Sequence, residues 1–245
     1  MSWPVDLRRG ITHVSFDCYG TLIDWETGLL AALQPLRRRD PVERSRDEVL
    51  ASFARHETAQ EAETPDLIYS KLLGRVHRRL AEEWEIAASA ADHRAFGGSV
   101  GDWPAFADSA SSLSYLEQFY KLVILSNVDR KSFAQSRKRL GIAFDAVYTA
   151  EDIGSYKPDL ENFRYMIGAL KRSGHAERDI LHIAQSLFHD HAPANAVGLR
   201  SAWIDRRSGA AQPGATPPPP AGVRYDFHFS SMAELLEAHR VEPRG

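Results

Sequence analysis

Four short segments carry side chains that could act on a small molecule. Asp17 stands in Phe16-Asp17-Cys18-Tyr19-Gly20-Thr21-Leu22, directly behind an apolar run and ahead of a Gly-Thr turn. Ser126 and Asn127 close the run 122–125, Lys157 lies in Tyr156-Lys157-Pro158-Asp159, and Asp190 ends Gln185-Ser186-Leu187-Phe188-His189-Asp190. A carboxylate at the carboxyl end of a parallel strand stands where open α/β sheets place their ligand crevice. Taken alone, such an aspartate is more often a helix cap or a turn residue. A lone lysine before proline is likewise more often a surface residue, and Ser-Asn after a strand can simply be a turn. His182, His189 and His191 suggest a metal, yet no matching cysteines and no His-Glu-x-x-His pattern accompany them, so no metal site is expected.

These residues need a scaffold, and the apolar pattern supplies one. Runs rich in β-branched and aromatic residues recur at Val14-Ser15-Phe16, Leu122-Val123-Ile124-Leu125, Val147-Tyr148-Thr149, Ile180-Leu181-His182-Ile183 and Ala202-Trp203-Ile204, and read as buried strands. Stretches of helical length at 130–140 and 160–171 lie between them, which predicts an α/β fold with a parallel sheet covered on both faces. From 27 to 95 no convincing strand occurs, while Leu72, Leu73, Val76, Leu80 and Trp84 follow helical spacing; an inserted helical subdomain is expected there. Its basic runs, Arg37-Arg38-Arg39 and Arg75 with Arg78-Arg79, read as solvated helix faces. The stretch 212–222, with Pro217 to Pro220 in a row, predicts an exposed extended loop.

Composition excludes several classes. A chain of 245 residues, 43% hydrophobic and 26% charged, can bury a core and a smaller cap. Thirty basic against 33 acidic residues leave a net charge of -3, with no surplus to attract nucleic acid or an anionic membrane. No apolar stretch approaches the ~20 residues needed to span a bilayer. The first ten residues carry no apolar signal core, and the single cysteine, Cys18, precludes an intramolecular disulfide; a cytoplasmic protein is expected. Cys18 reads as buried and Trp25 as a packing aromatic.

The run Asp17-x-Tyr19-Gly20-Thr21-Leu22, followed in order by Ser126-Asn127, Lys157-Pro158 and Asp190, resembles the motifs of the haloacid dehalogenase superfamily, and among its branches the L-2-haloacid dehalogenases. That resemblance implies a doubly wound parallel core over 1–26 and 99–245 with a helical cap over 27–98. It implies an SN2 attack by Asp17 on a halogen-bearing carbon, a covalent ester, and its hydrolysis by water. Lys157 would keep Asp17 ionised, Thr21 would hydrogen-bond it, and Asp190 would place the water. Tyr19, Ser126, Asn127, Gln185 and His189 would line the substrate pocket, and Arg55 in the cap would receive the halide. The implied substrate is a small anionic 2-haloalkanoic acid, turned over without metal or cofactor to a 2-hydroxy acid and halide, in a homodimer.

The fourth motif departs from the family pattern. Ser and Asn positions carry Gln185 and Leu187, an aromatic position carries His189, and a tyrosine six residues beyond the motif lysine is Phe163. A Mg²⁺-dependent phosphatase of the same superfamily is the first alternative, although Tyr19 and Gln185 stand where that branch carries acids. A binding protein that kept the fold and lost turnover, with the proline loop as its contact, is the second.

Overall fold

A computed structural model describes residues 10–208 and 215–240. Six parallel strands form one sheet in the order β3-β2-β1-β4-β5-β6: β1 (His13–Phe16), β2 (Lys121–Ser126), β3 (Ala146–Thr149), β4 (Ile180–Ala184), β5 (Arg200–Ile204) and β6 (Phe227–Phe229). Leu122 and Ile124 of β2 face one apolar layer while Val123 and Leu125 face another, so both sides of the sheet are covered, as a parallel sheet requires. The chain winds outward from β1 to β2 and β3, then returns across the sheet to β4. The crevice therefore opens at the carboxyl ends of β1 and β4, where the winding direction reverses. The first five strands fall where the apolar runs predict them. β6, three residues at the sheet edge, was too short to announce itself.

Five helices, α1 (Trp25–Ala32), α2 (Gln34–Arg37), α3 (Arg46–Glu63), α4 (Tyr69–Glu83) and α5 (Ala90–Gly97), stand between β1 and β2 where the helical cap is expected. Helix α3 starts at a capping box, in which the Ser45 hydroxyl accepts from Glu48 N–H and the Glu48 carboxylate accepts from Ser45 N–H. The long stripe of α4, with Leu72, Leu73, Val76 and Leu80 all fully buried, packs against α3 and α5; each such side chain contributes roughly 1.5–3 kcal/mol through burial. The cap is pinned to the sheet layer by close packing as well. A Cβ on Gly28 of α1 would lie 2.3 Å from Trp103 Cγ, so that helix can approach the core only without a side chain there. Arg39 pairs with Asp92, and Arg79 with Glu63, at the surface, which accounts for two of the basic positions as solvated ion pairs. Of the proline loop, Pro218 to Pro220 are exposed, as expected, but Ala215 is buried and its N–H donates to Glu26 Oε1 at 3.1 Å; 212–214 lie outside the described residues.

Candidate active site

β1 delivers Asp17 to the crevice, and the turn behind it is set by Gly20 at φ +95°, a conformation that side chains oppose. A Cβ there would also stand 3.0 Å from Gln185 Oε1 and 3.1 Å from Trp25 Nε1. The turn brings Thr21 back over the strand end. Its hydroxyl donates to Asp17 Oδ2 at 2.9 Å and accepts from the Gln185 N–H at 2.9 Å, tying the β4 loop to the carboxylate.

Lys157 comes from beyond β3 and is buried. Its ammonium has three protons and three acceptors: Asp17 Oδ1 at 2.9 Å, Asp190 Oδ1 at 2.6 Å and the Leu125 carbonyl at 3.0 Å. Asn127, at the end of β2, clamps the lysine backbone, accepting from Lys157 N–H at 2.7 Å and donating to Lys157 O at 3.0 Å. Asp190 sits in a wide helical turn after β4, with Oδ1 also 3.0 Å from His182 Nε2. The other nitrogen of that ring is 2.9 Å from Ser15 Oγ on β1, and Phe163 packs edge-on against it. Two buried polar atoms in this region have no partner among the described residues, Ser126 Oγ and Asp190 Oδ2.

The charges follow from this geometry. Burial, with the nearby Asp190, raises Asp17 above the usual carboxylate range against the pull of Lys157 and Thr21. Burial alone would lower the Lys157 ammonium, but the two carboxylates carry it well above an ordinary lysine. Burial would raise Asp190, yet Lys157 and His182 hold it well below the carboxylate range. The result is a fixed ammonium between a basic carboxylate and a firmly ionised one, an arrangement suited to attack by the first and to orientation by the second. Burial pushes His189 down to about 4, so its ring is neutral at physiological pH.

Over these groups the cap roofs a small, partly open cavity of about 60 Å³, room for roughly four to six waters. Asp17, Tyr19, Ser126, Asn127, Lys157, Gln185, His189 and Asp190 all face it, while Thr21 stands behind Asp17. The Tyr19 hydroxyl is 2.8 Å from Ser136 Oγ, and its ring packs edge-on against Trp103. Arg55 is not among the lining residues. The buried stripe of α3 runs through Val49, Leu50, Phe53, Glu57, Gln60 and Glu61, and Arg55, two residues past Phe53, falls about 200° round the helix. Its side chain is 58% exposed and bonds Glu83, which also bonds His56. The expectation of a halide-receiving Arg55 is thereby corrected.

Trp25, expected only as a packing aromatic, also lines the cavity, and further residues reach the site that the sequence pattern does not assign to it. Glu57, Glu61 and Tyr69 come from the cap, Thr216 from the start of the proline loop, and His182 from the sheet floor. The signal for the two glutamates was present: they occupy stripe positions of α3 at i and i+4, where an ordinary core helix would carry apolar side chains. His182 in an apolar strand, opposite Ser15, was a similar signal.

A model of the haloacid dehalogenase-like hydrolase family matches residues 11–183. No curated protein sequence matches. Among solved structures, the L-2-haloacid dehalogenase PA0810 is 22% identical with a TM-score of 0.75, over 93% of this chain and 99% of that one. The L-2-haloacid dehalogenase from Xanthobacter autotrophicus, determined with chloropropionic acid covalently bound, is 17% identical with a TM-score of 0.74, over 93% and 97%. The HAD-hydrolase YfnB from Bacillus subtilis, bound to magnesium, is 17% identical with a TM-score of 0.74, over 94% and 99%. At these identities the likeness is one of fold.

That last structure holds magnesium, whereas the donor set here is already committed. Asp17 and Asp190 each give Oδ1 to the Lys157 ammonium, and the position before Ser186 is the neutral Gln185. Among the described residues no group of three His, Cys, Asp or Glu could hold a metal ion. The residues do not fit a divalent cation.

Proposed function

The chain belongs to the haloacid dehalogenase-like hydrolases, and from that premise we propose that it hydrolyses the carbon–halogen bond of a short 2-haloalkanoic acid through an ester on Asp17. A carboxylate oxygen of Asp17 bonds to C2 as the carbon–halogen bond breaks, and the halide leaves with the bonding pair, inverting that carbon. Water then adds to the Asp17 ester carbonyl, the 2-hydroxy acid departs, and the carboxylate returns with release of one proton.

The observation that carries this reading is the pairing of Asp17 with Lys157 while the residue two further on is Tyr19, whose hydroxyl is taken up by Ser136. Attack on carbon with loss of halide needs an ionised, oriented carboxylate and no proton donor for the leaving group. Phosphoryl transfer would need an acid near that position and a cation to neutralise the phosphoryl oxygens. Asp190 Oδ2, buried and unpartnered, is an acceptor to which the hydrolytic water can donate. The small cavity favours a substrate of few heavy atoms, and Asp17 is buried at its base, which limits contact of the nucleophile with bulk water.

A cytoplasmic location and a homodimer belong to the same proposal. Cys18 is buried and unpaired, in keeping with a reducing compartment, and no helix among the described residues is long and apolar enough to cross a membrane. The test is halide release from 2-chloropropionate enantiomers with a chelator present. Release by the wild type and its loss in Asp17→Asn supports the reading; no release, or release unchanged in Asp17→Asn, overturns it.

A further inference from the structure

One wall of the cavity offers carboxyl groups where a plain haloacid has nothing to bind them. Glu57 and Glu61, one turn apart on α3, are both buried in the lining. Glu57 accepts from the Tyr69 hydroxyl at 2.6 Å and Glu61 from Asn127 Nδ2 at 3.3 Å, and among the described residues neither forms an ion pair with a basic side chain. With Asp17 and Asp190 the lining holds four carboxyl groups and one cation, Lys157, whose three protons are already spent. A buried carboxyl group ordinarily pairs with a cation or keeps its proton, and two of them without a basic partner in a ligand cavity can exchange those protons for a bound cation. At the β2 end of the same cavity the buried Ser126 hydroxyl has no partner and can donate to an anion.

We propose that the substrate is a short haloacid that also bears an ammonium group, which Glu57 and Glu61 hold while its carboxylate meets Ser126. The inference rests on the ester reading only for the position of the reacting carbon beside Asp17. An ammonium has three donors and a charge that the two carboxylates neutralise, whereas a methyl group in its place would leave both glutamates dry and unpaired. Burial raises Glu57 to about 7 and Glu61 well above its ordinary range, so the empty receptor holds protons that an incoming cation would displace. The cap thus selects the substrate, and the sheet edge performs the chemistry.

Two matched pairs of compounds separate this inference from the reading beneath it. 3-Aminopropanoate and butanoate differ only in an ammonium for a methyl and cannot react; 2-chloro-3-aminopropanoate and 2-chlorobutanoate differ in the same way and can. Calorimetric titration of the wild type is expected to favour 3-aminopropanoate by tenfold or more, with the preference falling below about threefold in Glu57→Gln/Glu61→Gln. The halide-release rates should show the same order. Equal binding of the unreactive pair, no binding of 3-aminopropanoate, or a preference that survives the double substitution overturns the inference. An ammonium preference without halide from either chloro compound would leave the inference standing and sink the dehalogenase reading. Halide from 2-chlorobutanoate with no ammonium preference would do the reverse.

Discussion

The Nε2 atom of His182 lies 3.0 Å from Oδ1 of Asp190, at the floor of the cavity and out of reach of solvent. Since the same imidazole meets Ser15 on the neighbouring strand, β1 and β4 jointly fix the carboxylate that would face the proposed ester. His182→Phe keeps the bulk, and an apolar ring there also suits the edge contact with Phe163. We expect it to slow turnover by roughly 10–100-fold, the worth of one charge-assisted hydrogen bond. The loss should fall on the second half-reaction. Rapid quench would then show a burst of about one equivalent of halide, and intact mass an alkylated protein; slow halide release without a burst would place His182 in packing alone.

Lys157 is bound to three acceptors at once, and its removal strands two buried carboxylates. Lys157→Met should therefore lower stability by about 3–5 kcal/mol in urea unfolding, beyond what the loss of packing would explain. Halide release should fall with it. Lys157→Arg should not restore activity, because a planar guanidinium cannot aim protons at Asp17, Asp190 and the Leu125 carbonyl from one nitrogen. Activity of Lys157→Arg within tenfold of the wild type would contradict that geometry.

The core was legible because a parallel sheet writes its strands as short apolar runs, and Asp17, Ser126, Lys157 and Asp190 each follow such a run at the same edge of the sheet. The cap was legible only as helices. Its contribution to the site depends on which face of α3 turns inward, and that face is set by Phe53 and the stripe it belongs to. Arg55 resembles the family's motif but lies off the stripe, whereas the stripe itself leads to Glu57 and Glu61. Thr216 and His182 reach the site through tertiary folding, the first from a segment that local pattern marks only as a loop, the second from inside a strand that local pattern marks only as buried.

Arg55 gives a direct check on the facing of that helix. It is paired with Glu83 on the outer surface, where an ion pair contributes about 0–1 kcal/mol. Arg55→Ala should leave kcat/KM for halide release within about twofold and shift thermal stability only slightly. A loss of a hundredfold or more would mean that α3 presents its other side to the substrate.

The acid pair of the cap makes a prediction about stability against pH in the ligand-free protein. Glu57 is raised from 4.5 to about 7, chiefly by burial. A group raised on folding holds its proton longer in the folded chain, so its favourable contribution is complete below pH 4.5 and is lost as pH rises through about 7. A shift of 4.5 to about 7, at ~1.4 kcal/mol per unit, corresponds to on the order of 3 kcal/mol. Glu61, also raised, acts in the same direction. Asp190 is depressed and acts in the opposite sense, but its contribution is lost only as pH falls below its ordinary value of 3.8, outside this window. His77, His189 and His191, each lowered by burial to about 4, act the other way inside this window, so the acid pair is read by difference: in urea unfolding Glu57→Gln/Glu61→Gln should gain more stability over the wild type at pH 8 than at pH 5. A difference between variant and wild type that does not grow from pH 5 to pH 8 would mean that the two carboxylates are already paired in the folded protein, and would remove the physical ground for a cation receptor.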